Sequence, residues 1–241
     1  MNDLIGLVTI FVTATFCLWL IVQCAPSSIF LHFPHSIQEV RELSTNLRTY
    51  EQDHCFFIFL LFCSAYLYKQ AFAIPGSIFL NVAGGALFGV AIALPLVCLL
   101  SACGASLCYL LSARFCVSIL MRLCSSQLET LRHQVSEHRE HLLFFLLFTR
   151  LFPGTPNWFL NLASPALHIP LPLFFLSVFI GLLPYNLVCV QAGSVLSEIE
   201  STGDVFSAWT LCKLSLAAIT CLIVFAFHAK SKRKLVASSF L

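Results

Sequence analysis

Pro75-Gly76-Ser77, followed after one residue by Phe79-Leu80-Asn81-Val82-Ala83-Gly84-Gly85-Ala86-Leu87, returns later in the chain as Pro153-Gly154-Thr155 and Phe159-Leu160-Asn161-Leu162-Ala163-Ser164-Pro165-Ala166-Leu167. Six of the last nine positions are identical between the two stretches. Proline lacks the amide proton that an interior helical turn needs, and glycine tolerates unusual dihedrals, so each Pro-Gly pair marks a break in an apolar helix. Upstream, Phe59-Leu60-Leu61-Phe62 matches Phe145-Leu146-Leu147-Phe148. A shared Asn and a shared Pro-Gly are not ordinary apolar filler, and the two regions read as a duplication.

The surroundings of these stretches are equally apolar. Hydrophobic residues make up 59% of the 241, charged residues 10%, and the mean hydropathy is +0.91. A soluble domain is nearer half apolar and a quarter charged. One polytopic α-helical membrane domain is expected, with three parts. Residues 1–54 hold an N-terminal transmembrane helix and an amphipathic helix, 55–195 the core with its two broken hairpins, and 196–241 a last transmembrane helix and a basic tail.

Four full crossings are expected: Leu4 to Val22, Val90 to Ser112 with Pro95 and Gly104 as candidate kinks, Ile169 to Val190, and Trp209 to His228. The first could instead be a signal peptide ending near Cys24-Ala25, although no basic residue precedes it. Two polar stretches carry apolar residues at spacings of three and four, the stripe of an amphipathic surface helix. One runs through Ile37, Val40, Leu43, Leu47 and Tyr50 behind a Ser36-to-Glu39 capping box, the other through Leu128, Leu131, Val135 and Leu142 behind Ser126-to-Glu129.

Lys and Arg concentrate on cytosolic loops. The tail has Lys230, Lys232, Arg233 and Lys234, and the 114–141 loop has Arg114, Arg122, Arg132 and Arg139. The 26–54 loop has two basic residues and the 193–208 loop none. Both termini and the 114–141 loop should be cytosolic, so the hairpins at Pro75 and Pro153 enter from opposite faces as an inverted repeat. Non-helical backbone is tolerated at membrane depth only against protein or a wet cavity, and transporters use such repeats to build a pathway near the midplane.

From Cys55 to Ser112 the one charged residue is Lys69, and from Leu142 to Ser197 the one fixed charge is Arg150. An intramembrane cation without a carboxylate partner is read as functional by default, with snorkelling to an interface as the alternative. Arg150, Lys69, Asn81, Asn157 and Asn161 are the candidate pathway residues. The charge of Arg150 is expected to act on lipid phosphate, leaving the fold intact when it is replaced. The lack of an intramembrane Asp or Glu argues against proton coupling.

Other classes find little support. A formal charge of +2 and no basic stripe set nucleic acid aside, and the 24 Phe residues lie mostly in apolar runs. No nucleotide loop or nucleophile triad argues for an enzyme, and no cofactor is implied. His133, Glu137 and His141 at successive i, i+4 spacings read as a solvated helix face rather than a metal site. Of twelve cysteines most sit in apolar runs as reduced thiols; Cys24 and Cys55 could pair, and Cys116 and Cys124 could be palmitoylated.

From Ile74-Pro75-Gly76 through Gly84-Gly85-Ala86-Leu87-Phe88-Gly89, and from Phe148-Thr149-Arg150-Leu151-Phe152-Pro153 through Asn157, the sequence resembles the DedA family of VTT-domain proteins. Asn157-Trp158-Phe159-Leu160-Asn161 with Pro184-Tyr185-Asn186 looks like the transmembrane protein 41 branch, A-like rather than B-like. The resemblance covers roughly Phe56 to Val195. It implies residence in the endoplasmic reticulum and energy-independent phospholipid scrambling, coupled in eukaryotic relatives to lipid mobilisation, autophagy and lipoprotein export. Bacterial relatives carry acidic residues in the first hairpin and a second arginine after the second Pro-Gly. Here Ser77-Ile78 and Pro156-Asn157 stand in those places, while Arg150 matches the first arginine. Membrane phospholipids are the implied partner, with a small-solute or ion transporter and a non-transporting scaffold as alternatives.

Opposite insertion of the hairpins has a direct test. On a cysteine-depleted background, a thiol at position 36 should label from the lumen and one at position 126 from the cytosol. Labelling of both from one side would remove the inverted repeat.

Overall fold

The computed structural model describes residues 2–24, 55–151 and 156–198, all of it helix and connecting turn. Helix α1 (Asn2–Gln23) is followed by α2 (Cys55–Ala71) and α3 (Ser77–Leu111). A π-helical turn (Ser112–Cys116) leads to α4 (Val117–Leu123) and α5 (Ser125–Glu137). Then come α6 (Leu142–Leu151), α7 (Asn157–Ala163), α8 (Leu171–Gly181) and α9 (Leu183–Glu198).

Length separates spanning helices from half-crossings. At 1.5 Å per residue, α1 is about 33 Å long, enough for a hydrocarbon core of about 30 Å. Its face carries exposed Leu4, Ile5, Val8, Val12, Phe16 and Trp19, as lipid contact requires. Helix α3 is two arms, because Gly89 leaves the helical region at φ 68°, ψ 168°. Only a residue without Cβ takes up that conformation freely. The first arm, 77–88, is about 18 Å long and the second, 90–111, about 33 Å. At the candidate kinks Pro95 and Gly104 the backbone stays in the helical region, and Gly89 is the one α3 residue with non-helical dihedrals. Pro95 follows the break closely and is absorbed without leaving the helical region.

The break expected at Pro75-Gly76 is present as a turn over 72–76, with Ala73 at φ 53° and Gly76 at φ 104°. The counterpart at Pro153-Gly154 lies outside the described residues, as do the first amphipathic helix and the Trp209-to-His228 crossing. The expected single span from Ile169 to Val190 is instead two helices, α8 and α9, bent by 41°. Pro184 supplies no amide for the carbonyl of Ile180, and its ring crowds that carbonyl, so the helix restarts there. Helix α9 also continues to Glu198 through residues expected to be loop. Among the described residues two helices can cross a bilayer by length and composition, or three if the bent pair counts as one.

Helix α5 has the expected stripe, with Leu128 and Leu131 buried and Val135 packed beside them. They pack on a core built from α6, α7 and α8, so the helix is held by the protein itself. The Ser126-to-Glu129 capping box does not form. One residue separates α4 from α5, which puts the N-cap at Cys124 and Ser126 inside the helix, where its Oγ bonds Gln127. Cys24 and Cys55 are free and exposed, so their candidate disulfide is not made. Asp3 pairs with Arg114 at 2.9 Å, placing the start of α1 beside the far end of α3.

The tightest packing is where the first arm of α3 crosses α9. A Cβ added at Gly85 would run into the carbonyl of Val190, and one at Gly193 into the carbonyl of Val82. The two backbones touch, and no side chain stands between them. Gly85→Val and Gly193→Val should each cost at least about 1–3 kcal/mol, read as a lower melting temperature and less monodisperse protein on size-exclusion in detergent.

Candidate functional site

Asn81 and Asn161 hold the same place in the two repeated stretches, and each is the centre of a buried polar cluster. Asn81 is fully buried on the first arm of α3. Its Oδ1 accepts from the Tyr66 hydroxyl of α2 at 2.8 Å, and its Nδ2 donates to Asn186 Oδ1 of α9 at 3.0 Å. The Tyr66 hydroxyl also lies 2.7 Å from Ser101 Oγ on the second arm of α3. Asn186 closes the cluster with a contact to Cys98 Sγ at 3.5 Å.

Asn161, on α7, is organised in the same way around a cation. Arg150 of α6 donates from Nη1 to Asn161 Oδ1 at 3.2 Å and to Asn157 Oδ1 at 3.4 Å, and from Nε to Ser177 Oγ on α8 at 3.0 Å. Its guanidinium lies over the Phe174 ring, 4.9 Å from the centroid. Arg150 is only 6% exposed, and its Nη2 has no acceptor among the described residues. In both clusters a long donor before the Pro-Gly pair reaches the Asn after it, and a serine further along the chain completes the contact. The donor is neutral in the first cluster and charged in the second.

The turn over 72–76 and the start of α7 border a cavity of about 370 Å³ lined by Lys69, Gln70, Pro75 and Ser77 on one side and by Asn157, Trp158 and Asn161 of α7 on the other. Lys69 is 3% exposed. Its Nζ donates to Ser77 Oγ and to Gln70 Oε1 at 3.3 Å, both neutral acceptors. Helix α3 starts at this cavity with no side-chain cap on its first amides. With no Asp or Glu between Cys55 and Ser112 or between Leu142 and Ser197, these segments contribute two buried cations and no carboxylate. Such a site favours an anion.

Lys69, Asn157 and Asn161 thus line one cavity, Arg150 stands directly behind it, and Asn81 belongs to the separate neutral cluster. Pro75 and Gly76 form the first hairpin turn. Tyr66, Ser101, Ser177, Phe174 and Asn186 were not singled out as site residues. Two carried a signal: Ser177 is the one polar side chain between Pro170 and Pro184, and Asn186 lies in the quoted Pro184-Tyr185-Asn186. His133 and Glu137 form an exposed pair at 3.5 Å on α5.

The apolar helices and buried polar clusters define an integral, α-helical membrane protein with a polar cavity between the 72–76 turn and α7. A model of the VTT domain matches residues 74–195. The chain is 35% identical over 205 residues to Transmembrane protein 41B of Danio rerio, covering 85% of this chain and 73% of that protein. It is 32% identical over 237 residues to the Homo sapiens protein of that name, covering 96% and 81%. For the Gallus gallus protein the figures are 33% over 238 residues, covering 97% and 88%. No solved structure matches. The chain belongs to the VTT-domain family and is related to transmembrane protein 41. These relatives carry the B designation, so the A-like character rests on the quoted motifs alone.

Arg150 ties α6 to α7 and α8, which gives a reason to expect that its replacement costs stability. Arg150→Gln should lose about 2–3 kcal/mol of stability through its charge-assisted bonds, and Tyr66→Phe about 1–2 kcal/mol. Thermal unfolding in detergent checks both values.

Proposed function

We propose that this protein is a phospholipid scramblase of the endoplasmic reticulum membrane, moving lipids between leaflets without energy input. The observation that carries the reading is the cavity between the 72–76 turn and α7, bordered by Lys69, Asn157 and Asn161 and backed by Arg150. In that reading the cavity gives a phosphodiester a polar, cationic station part-way across the bilayer while acyl chains stay in hydrocarbon. An amine headgroup needs no partner there, and the segments that build the cavity provide none.

The hairpins enter from opposite faces as an inverted repeat. This is supported by the duplicated Asn81 and Asn161 clusters and by contacts along α3. Its start, at Ser77, faces the cavity, while Ser112 at its far end bonds the Leu162 carbonyl at the end of α7. Four crossings, a cytosolic C-terminus and a non-enzymatic mechanism complete the proposal. The lack of an intramembrane acid supports passive movement over proton coupling. The assignment to the endoplasmic reticulum rests on family resemblance.

In liposomes holding purified protein and a fluorescent phospholipid, external dithionite should quench both leaflets, without nucleotide or an ion gradient. Quenching confined to the outer leaflet overturns the proposal. Solute flux without lipid exchange would identify a transporter, and neither activity a scaffold.

A further inference from the structure

Arg150 Nη1 contacts two amides that also line the cavity, and the chemistry of arginine fixes which way those amides point. A guanidinium only donates. The atoms of Asn157 and Asn161 facing it must therefore be the oxygens, and each NH2 group is turned away from the cation. Among the described residues neither Nδ2 has an acceptor. Arg150 itself is absent from the cavity lining, packed on Phe174 and fastened to Ser177. Across the cavity, Lys69 spends protons on Ser77 and Gln70 and has a third to give.

We infer that Lys69 on one hairpin and the amide NH2 groups of Asn157 and Asn161 on the other are the groups that touch the phosphate, and that Arg150 is a positioning residue that aims those amides. The inference rests on the scramblase reading for the source of the phosphate, but not for the contacts. A cation at the amide oxygen also polarises the N–H bonds on the far side, making them stronger donors. The guanidinium thus acts on the phosphate through two amides, and the phosphate bridges Lys69 and α7. The ligand chemistry is an anionic phosphate ester rich in acceptors.

Binding to the detergent-solubilised full chain tests this apart from scrambling. The probes are glycerophosphocholine and inorganic phosphate, with choline and glycerol as controls, read by calorimetry and by ligand-dependent melting. Asn161→Asp keeps an oxygen on Arg150, with a stronger charge-assisted bond, but puts a second oxygen where the NH2 stood. The melting temperature should hold or rise while glycerophosphocholine binding falls at least about tenfold, equivalent to 1.4 kcal/mol. Lys69→Gln should weaken binding by a similar factor, and it carries the test if Asn161→Asp fails to accumulate. Parental affinity in folded Asn161→Asp, or in Lys69→Gln, overturns the inference. Tighter binding of inorganic phosphate than of the ester, with the same response to both variants, keeps the contacts and removes the lipid source. Loss of scrambling in the parent with these binding results intact removes the proposed function alone.

Discussion

A peptide group in hydrocarbon has no water to bond, so every interruption of a helix at membrane depth must be answered by protein. Much of this architecture follows from that requirement. The turn over 72–76 closes part of its own account, with the Ile74 amide on the Lys69 carbonyl at 2.9 Å. The first arm of α3, which follows the turn, is too short to span, and it lies against α9. Polar side chains of α7 gather beside this interruption, and the cavity is the space that results.

The two buried clusters show how one pattern serves different ends. Around Asn81 every partner is neutral and the donors and acceptors are closely matched, from Tyr66 through Asn186 to Cys98. Such a network holds α2, both arms of α3 and α9 in one arrangement at little electrostatic cost. Around Asn161 the donor is a guanidinium with one nitrogen left over. Burying a cation without a carboxylate is expensive, and that expense falls beside the cavity.

The turn at Pro75-Gly76 was legible because Pro-Gly in an apolar run has few other meanings, and the duplicated Asn pointed to both polar clusters. Lys69 and Arg150 stood out for a similar reason: a charge is conspicuous where there are no others. Other features depended on tertiary context. Pro95 and Gly104 are ordinary breakers, yet the chain breaks at Gly89, which had served only as a boundary. Pro184 had the same chemistry as Pro75 but no glycine directly after it, and the bend at Leu182 went unread. The direction in which Asn157 and Asn161 face could not be read at all, since it is set by a side chain on another helix.

The crossing of Gly85 with Gly193 has a mechanical consequence. Side chains between helices act as springs, because rotamers can shift and absorb small displacements. Where carbonyl meets glycine there is nothing to yield, and the first arm of α3 and α9 are coupled like the blades of scissors at their rivet. Any pull on the far end of α9 is therefore felt at the other end of that arm, where Ser77 meets Lys69, and the cavity floor sits on a stiff lever.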